Sequence, residues 1–247
     1  MSFTDVDVLF QWAQGSGTMD LAWYCREQGL TIDHCSFGSL QSTFRLQSAK
    51  TMPVGSVEFV SEALAQLGVE RPRPIPTPES LQRRQVQQMP LSQARWVAAR
   101  SPLFVKPADV VKLFTGAVFT EATVGKLYRF PGDTQVLTAA PVEFVAEWRG
   151  YYVNGIRVGL WQYLPGDTLL PVPSDEEMKT VDEVAATLPY AGFSVDVGRL
   201  DTGELDVVEL NDGWALGDYG LAPQDYYALM RSRWRQLTEN AHLTVQR

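Results

Sequence analysis

The segment spanning residues 71–78 (RPRPIPTP) constrains the fold of this 247-residue chain most strongly, because it carries four prolines in eight positions. Proline lacks a backbone N–H and fixes φ, so such a run fits neither a helix interior nor a central strand. It predicts an extended connection between folded parts. The chain is long enough for two lobes that share an interface, and we divide it into residues 1–78, 79–140 and 141–247.

Composition narrows the functional classes. The chain is 45% hydrophobic and 20% charged, as in ordinary globular proteins, and its net charge of -8 argues against nucleic acid or an anionic membrane as the main partner. No segment is apolar enough to span a bilayer, and the first residues lack the basic flank and cleavage site of a signal peptide. Two cysteines, Cys25 and Cys35, are predicted to be reduced thiols. We therefore expect a cytoplasmic protein.

Strand-like and helix-like patterns alternate before the proline segment. Short apolar runs predict strands at residues 6–11 and 32–35, and helical spacing predicts helices at residues 18–28 and 56–67. This alternation predicts a small α/β unit at the N-terminus.

The pattern becomes mainly β after the proline segment, although residues 80–99 predict a helix that is broken at its proline. Asn154-Gly155 predicts a two-residue hairpin turn, and Ser174 followed by Glu177 predicts a helix start with a capping box. Strands are predicted at residues 103–105, 117–120, 127–130, 135–138, 142–148, 151–153, 156–163, 193–199 and 205–210, and helices at 174–188 and 223–239. The fold class predicted for the chain is α+β (α/β).

Carboxylate and amide side chains end a predicted strand near the C-terminus. Side chains alternate along a strand, so Glu209 and Asn211 project to the same side, and Asp196 on the preceding strand faces them. Such hard oxygen ligands suit Mg²⁺, with phosphate oxygens and water completing the coordination. The alternative interpretation is a polar strand end before an ordinary turn.

A lysine ends the apolar run Leu103-Phe104-Val105, which is costly for a buried strand unless the lysine meets an anion. The loop after Lys106 carries Lys112, Thr115 and Gly116 and can present a cation, a hydroxyl and backbone N–H groups to phosphates. It is not a Walker A motif. The alternative is a lysine that extends to solvent beside a simple turn.

Residues 142–149 combine an apolar run with charges. The apolar side chains could form the wall of a slot for a flat base, and Glu143 or Glu147 could accept hydrogen bonds from a ribose or an amino group. Arg149 could pair with a phosphate or a carboxylate through two hydrogen bonds. The alternative is an amphipathic strand with solvated charges.

In this order, the three motifs resemble the ATP-grasp superfamily over about residues 100–220, and most closely a clade of small ATP-grasp proteins from bacteria and phages. The resemblance implies an ATP-grasp fold, in which two lobes with antiparallel sheets grip ATP, preceded by a small α/β N-terminal domain. It implies ATP and Mg²⁺ as cofactors.

The resemblance also assigns roles to residues. Lys106 matches the lysine that reaches the α- and β-phosphates, and Phe144 and Val145 match the hinge whose backbone reads adenine. Glu147 falls near the ribose-binding acid, and Arg149 matches the arginine that faces the transferred phosphate and acyl group.

The metal site and one substituted position complete the resemblance. Asp196, Glu209 and Asn211 match the magnesium ligands, and the single-glycine loop relies on Lys112 for the γ-phosphate. The usual first lysine is absent, and its replacement is expected among the arginines of this region, Arg83, Arg84 and Arg95.

The implied activity is that of a carboxylate–amine ligase, which forms an amide through an acyl phosphate. Its partners would be a small-molecule or peptide carboxylate and an amine acceptor. The alternatives are an ATP-grasp kinase that phosphorylates a hydroxyl, and a catalytically weak nucleotide-binding protein that recognises a partner.

Overall fold

The computed structural model describes residues 6–12, 16–43, 45–46, 48–109 and 113–239. Among these residues, no helix is both long and apolar enough to cross a lipid bilayer.

The N-terminal part is an α/β unit. Its elements are β1 (Val8–Gln11), α1 (Ser16–Glu27), β2 (Ile32–Cys35), α2 (Phe37–Ser42), β3 (Met52–Val54) and α3 (Val57–Gln66). The three strands form a parallel sheet in the order β2-β1-β3. The predicted α/β unit is confirmed, although α2 and β3 were not predicted.

The small lobe that follows is built on an antiparallel sheet. Its elements are β4 (Gln87–Pro90), α4 (Leu91–Ala98), β5 (Leu103–Pro107), β6 (Ala117–Phe119), a 3₁₀ helix (Val124–Arg129) and β7 (Gln135–Ala139). The strands lie in the order β4-β7-β5-β6, so β5, which carries Lys106, is an inner strand.

The large lobe contains a second antiparallel sheet. Its elements are β8 (Phe144–Val153), β9 (Ile156–Leu164), α5 (Asp175–Ala185), β10 (Gly192–Leu200), β11 (Leu205–Asp212) and α6 (Pro223–Thr238). The strand order β11-β10-β8-β9 makes β8 and β10 the inner strands. The expected pair of antiparallel sheets is therefore present.

Three hydrophobic cores stabilise these parts. The first joins the N-terminal sheet to α6, with Phe10 and Trp234 both buried in it. The second lies between the large sheet and α5, and includes Trp148 and Phe193. The third fills the small lobe around Val105. The first core leaves the opposite part of the large sheet free to face the small lobe.

Two local predictions of secondary structure were wrong. Residues 127–130, predicted as a strand, lie at the end of the 3₁₀ helix, because Leu127 turns into the small-lobe core instead of alternating. Residues 87–90, predicted within a helix, form β4 and pair with β7. The hairpin turn and the capping box were correct: Asn154 and Gly155 have φ of 49° and 79°.

Candidate active site

A cleft of about 200 Å³ separates the small lobe from the large lobe. Its small-lobe wall includes Phe104, Lys106 and Leu137, and its large-lobe wall includes the backbone stretch from Asp206 to Val208. Strands from the two sheets thus face each other across a space that is apolar at its walls and charged at its mouth.

Arg84 closes one end of this cleft. Its Nε lies 2.9 Å from Oδ2 of the buried Asp206, and an Nη atom donates to the carbonyl of Val207 at 3.0 Å. The guanidinium also lies over the ring of Phe144, at 5.3 Å from its centroid. Arg84 therefore attaches the segment before β4 to the large lobe.

The other two arginine candidates for the missing lysine are placed differently. Arg83 is exposed and lines the cleft. Arg95 instead donates to the carbonyls of Leu127 and Phe130 at 2.7 and 2.5 Å, where it holds the 3₁₀ helix of the small lobe. Arg83 and Arg84 are thus the two of the three that line the cleft.

Lys106 reaches across the cleft toward the large lobe. Its Nζ lies 3.5 Å from Oε2 of Glu209, and both side chains remain partly exposed. A Cβ at Gly116 would lie 3.0 Å from Cβ of Lys106, so glycine lets the loop pack closely against the strand. Thr115 beside it is exposed. Lys112 lies outside the described residues.

A row of side chains crosses the large sheet at the mouth of the cleft. Trp161 pairs with Arg149, Arg149 with Asp196, and Asp196 with Glu209 in successive strand registers. Directly opposed residues of antiparallel strands share a face, so this row continues from β9 to β11 and ends at Lys106. The predicted juxtaposition of Arg149, Asp196 and Glu209 is therefore found.

Arg149 and Asp196 form a buried, two-pronged ion pair. Nε of Arg149 donates to Oδ1 and an Nη atom donates to Oδ2, both at 2.7 Å. Burial opposes the charge on Arg149, but the hydrogen bonds and charge of Asp196 outweigh it and raise the pKa of the guanidinium. This arginine therefore stays protonated in a fixed orientation.

Two tyrosines flank the guanidinium of Arg149. Its Cζ lies 5.6 Å from the ring centroid of Tyr163 and 5.0 Å from that of Tyr219, and the two rings stack on each other. Tyr219 has φ of 43°, a left-handed conformation that is unusual for a residue with a side chain. Such backbone conformations concentrate at functional sites because the surrounding structure must hold them in place.

Glu147 lies beside this cluster and receives a short hydrogen bond from the Tyr163 hydroxyl. Burial raises the pKa of Glu147, the Tyr163 hydrogen bond lowers it, and the charges of Asp196 and Glu209 raise it further, so the pKa lies above its ordinary value. The predicted ribose-binding acid is thus located among the phosphate-end residues.

The predicted adenine-reading residues lie at the edge of the cleft. The ring of Phe144 packs against Gly198, where a Cβ would lie 2.3 Å from the ring, and its other side meets Arg84. Val145 and Glu143 are exposed. None of these three is among the residues that line the described cleft. Their nucleotide contacts remain predictions.

The oxygen ligands expected for magnesium differ in availability. Glu209 is 38% exposed and has Lys106 as its one described ion-pair partner, whereas Asp196 is 1% exposed and both its oxygens accept from Arg149. Asn211 donates its amide nitrogen to Asp196, which leaves its oxygen without a described partner. Glu209 and Asn211 therefore fit a divalent cation, and Asp196 does not. In the described part of the chain, no three His, Cys, Asp or Glu side chains form a metal-binding group.

Comparisons with known proteins agree with this architecture. A family model for an ATP-grasp domain, family 2 of its clade, matches residues 81–229. No curated protein matches the chain.

Similar solved structures share the fold at low sequence identity. They include a RimK domain ATP-grasp protein from Sphaerobacter thermophilus, with 14% identity and a TM-score of 0.56, covering 92% of this chain and 98% of that one. The ATP-grasp ligase PsnB, complexed with a minimal precursor, has 10% identity and a TM-score of 0.53 over 92% and 100% of the two chains. An N5-carboxyaminoimidazole synthase from Aspergillus clavatus has 11% identity and a TM-score of 0.53 over 93% and 77%.

Proposed function

Because the chain belongs to the ATP-grasp superfamily, we propose that it is an ATP- and Mg²⁺-dependent carboxylate–amine ligase. ATP-grasp proteins are mostly carboxylate–amine ligases. The observation that carries the proposal is the row Arg149–Asp196–Glu209, which faces Lys106 across the cleft between the sheets.

The two ends of this row have different chemistry. Lys106 and Arg83 provide cations at the nucleotide end, where they would bind phosphate oxygens. Arg149, held between Tyr163 and Tyr219, provides a planar donor at the other end, where it would orient the substrate carboxylate. A phosphoryl group between them would be in reach of both ends.

The reaction proceeds in two displacements. A carboxylate oxygen attacks the γ-phosphorus of ATP, the bond to the bridging oxygen breaks, and ADP leaves. The amine nitrogen then attacks the carbonyl carbon of the acyl phosphate, inorganic phosphate leaves and a proton is released. Catalysis by the protein consists of positioning the reactants and stabilising the charge that develops.

Magnesium would be held by Glu209 and the amide oxygen of Asn211, and it would neutralise charge on the phosphates. The similar ligase PsnB has been solved with magnesium and ADP, which supports this cofactor pair. Lys112, Thr115 and Gly116 remain the proposed phosphate loop. An enzyme that consumes ATP in this way is proposed to work in the cytoplasm.

Hydroxylamine can replace the unknown amine in a direct test. The protein is incubated with MgATP, hydroxylamine and panels of amino acids, dicarboxylates and short peptides, and hydroxamate and phosphate are measured together. We expect one carboxylate class to give hydroxamate and phosphate in equal amounts, and Glu209→Gln to abolish both. Release of ADP without phosphate would instead indicate a kinase. Slow hydrolysis that ignores the carboxylate would indicate a weak nucleotide-binding protein.

A further inference from the structure

The carboxylate of Asp196 is fully occupied by protein donors. Besides the two hydrogen bonds from Arg149, its Oδ2 lies 3.2 Å from the amide nitrogen of Asn211 and 3.4 Å from the hydroxyl of Tyr163. All of these are N–H or O–H donors that point at the carboxylate. With a side chain that is 1% exposed, Asp196 has no open oxygen lone pair on the cleft side.

A divalent cation at Asp196 would have to displace this arrangement. Mg²⁺ requires oxygen lone pairs in a near-octahedral set, and here they face hydrogen-bond donors. If the carboxylate turned toward an ion, the buried guanidinium of Arg149 would lose its charged partner, which is strongly unfavourable in a desolvated site. Glu209 needs no such rearrangement, because its one described ion-pair contact is with Lys106 at 3.5 Å.

We propose that Asp196 is a positioning residue, which orients Arg149 and Asn211, and that it is not a ligand of the magnesium ion. This inference rests on the proposed function above. The remaining terminal nitrogen of Arg149 has no hydrogen bond to a described residue, and 11% of its side chain is exposed. Asp196 thus holds two edges of the guanidinium and leaves the third for the substrate.

The same carboxylate orients the metal-binding amide. Asn211 must turn its NH₂ group toward Asp196, because two acceptors cannot face each other. Its amide oxygen is then directed away from Asp196 and stands on the same strand as Glu209, two positions apart. One buried carboxylate therefore fixes both the arginine and the amide.

Binding of Mn²⁺ in the presence of ADP tests the assignment without turnover. Free Mn²⁺ is followed by electron paramagnetic resonance for the wild type, Asp196→Asn and Glu209→Gln. Asparagine at position 196 keeps an oxygen that accepts from Asn211, so we expect its Mn²⁺ affinity to change by less than about threefold. Glu209→Gln should weaken Mn²⁺ binding by more than about tenfold. Equal losses in the two variants would overturn the proposal.

A double-mutant cycle tests whether Asp196 acts through Arg149. The rates of hydroxamate formation are compared for Arg149→Met, Asp196→Asn and the double variant. If Asp196 only positions Arg149, the double variant is as slow as Arg149→Met alone, and the KM for ATP changes little in all three. Multiplicative losses in the double variant would overturn the proposal.

The double variant also controls for folding. Asp196→Asn leaves a buried charge without its partner, whereas the double variant removes both charges and should keep its fold. Its Mn²⁺ affinity in the presence of ADP should match that of the wild type, and a loss as large as that of Glu209→Gln would overturn the inference. A wild type that binds no Mn²⁺ with ADP would overturn both the proposed function and this inference.

Discussion

Lys106 is the residue through which the small lobe meets the charged row of the large lobe. It ends β5 beside Gly116 and lies 3.5 Å from Glu209 across the cleft. A lysine in this position is exposed to any anion that enters between the sheets. Its contact with Glu209 is long for a salt bridge, so a phosphate could compete for it without breaking a strong interaction.

Lys106→Ala should weaken MgATP binding. Loss of one charge-assisted contact in a partly dry cleft costs about 1.5–3 kcal/mol, which corresponds to a roughly 10- to 150-fold higher Kd. The matched control is Lys126→Ala, because Lys126 is exposed on the 3₁₀ helix of the small lobe. Isothermal titration calorimetry measures both variants. Equal affinities for the two would show that the nucleotide does not reach Lys106.

Arg149→Lys should separate geometry from charge. Lysine keeps the positive charge but loses the planar fork that holds Asp196 and leaves one edge free. We expect ATP affinity near that of the wild type and a loss of phosphoryl transfer of about a hundredfold, as for a lost transition-state donor. A single-turnover assay of ADP release tests this, and wild-type rates would remove Arg149 from the mechanism.

Part of the site follows from strand alternation alone. Asp196 lies opposite Glu209, as the hairpin between β10 and β11 predicts. The tyrosine of β9 was missed because a register shift between Tyr151 and Tyr152 moves every later pair by one residue. Counting from the Asn154-Gly155 turn would pair Arg149 with residue 160, on the opposite face. A bulge of this kind has no signal in a single sequence.

The start of α5 shows how a short pattern determines an element. Ser174 accepts from the backbone N–H of Glu177, and Glu177 accepts from the backbone N–H of Ser174. Arg199 on β10 adds a hydrogen bond of 2.8 Å to the same carboxylate. The local cap is therefore also tied to the large sheet.

Stability should depend on the protonation of Glu177. The hydrogen bond from Arg199 and the backbone N–H of Ser174 lower its pKa from 4.5 to about 2. A lowered folded-state pKa gives stabilisation that is complete above pH 4.5 and disappears as the pH falls toward 2. The urea midpoint of the wild type should therefore fall more steeply in this range than that of Glu177→Gln.

Glu176→Gln is the control for this pH dependence. Glu176 lies in the same first turn, but its side chain makes no hydrogen bond to a described residue. Its variant should follow the wild-type curve. If Glu177→Gln also followed that curve, the capping carboxylate would not contribute to stability.

Elements were predicted well where periodicity is strong and poorly where it is short. The ends of β8, β9 and α6 lie within two residues of their predicted ends. The segment of β4 reads as polar, and it becomes a strand only because β7 pairs with it. Leu127 and Phe130 look like strand positions, but the carbonyls there are held by Arg95 from α4. Both differences come from tertiary contacts that local sequence does not contain.

The whole molecule departs from a simple division at the proline segment. The core that contains β1 and α3 also contains residues of α6, from the other end of the chain. Trp234 of α6 is buried and donates its indole N–H to the carbonyl of Ala49 at 2.8 Å. Residues 71–78 therefore connect parts that are packed together. Local patterns could not predict this, because apolar faces do not state their partners.

Trp234→Ala should destabilise the N-terminal unit and the large lobe together. Truncation of a buried tryptophan removes its packing and leaves a cavity, with a loss of about 3–5 kcal/mol in the free energy of unfolding. The substitution also leaves the Ala49 carbonyl without its indole donor. Because the core is shared, amide protons of β1 should lose hydrogen-exchange protection to the same extent as those of α6.

Trp23→Ala is the matched control, because Trp23 lies on α1 of the N-terminal unit and is 62% exposed. Substitutions at such surface positions usually change stability by less than about 0.5 kcal/mol, so its exchange pattern should resemble that of the wild type. The decisive comparison is between β1 and β5 in Trp234→Ala. The small lobe has its own core around Val105, so β5 should keep more protection than β1. If β1 kept its protection while α6 lost it, the N-terminal unit would be an independently stable domain and the shared core would not couple the two ends of the chain.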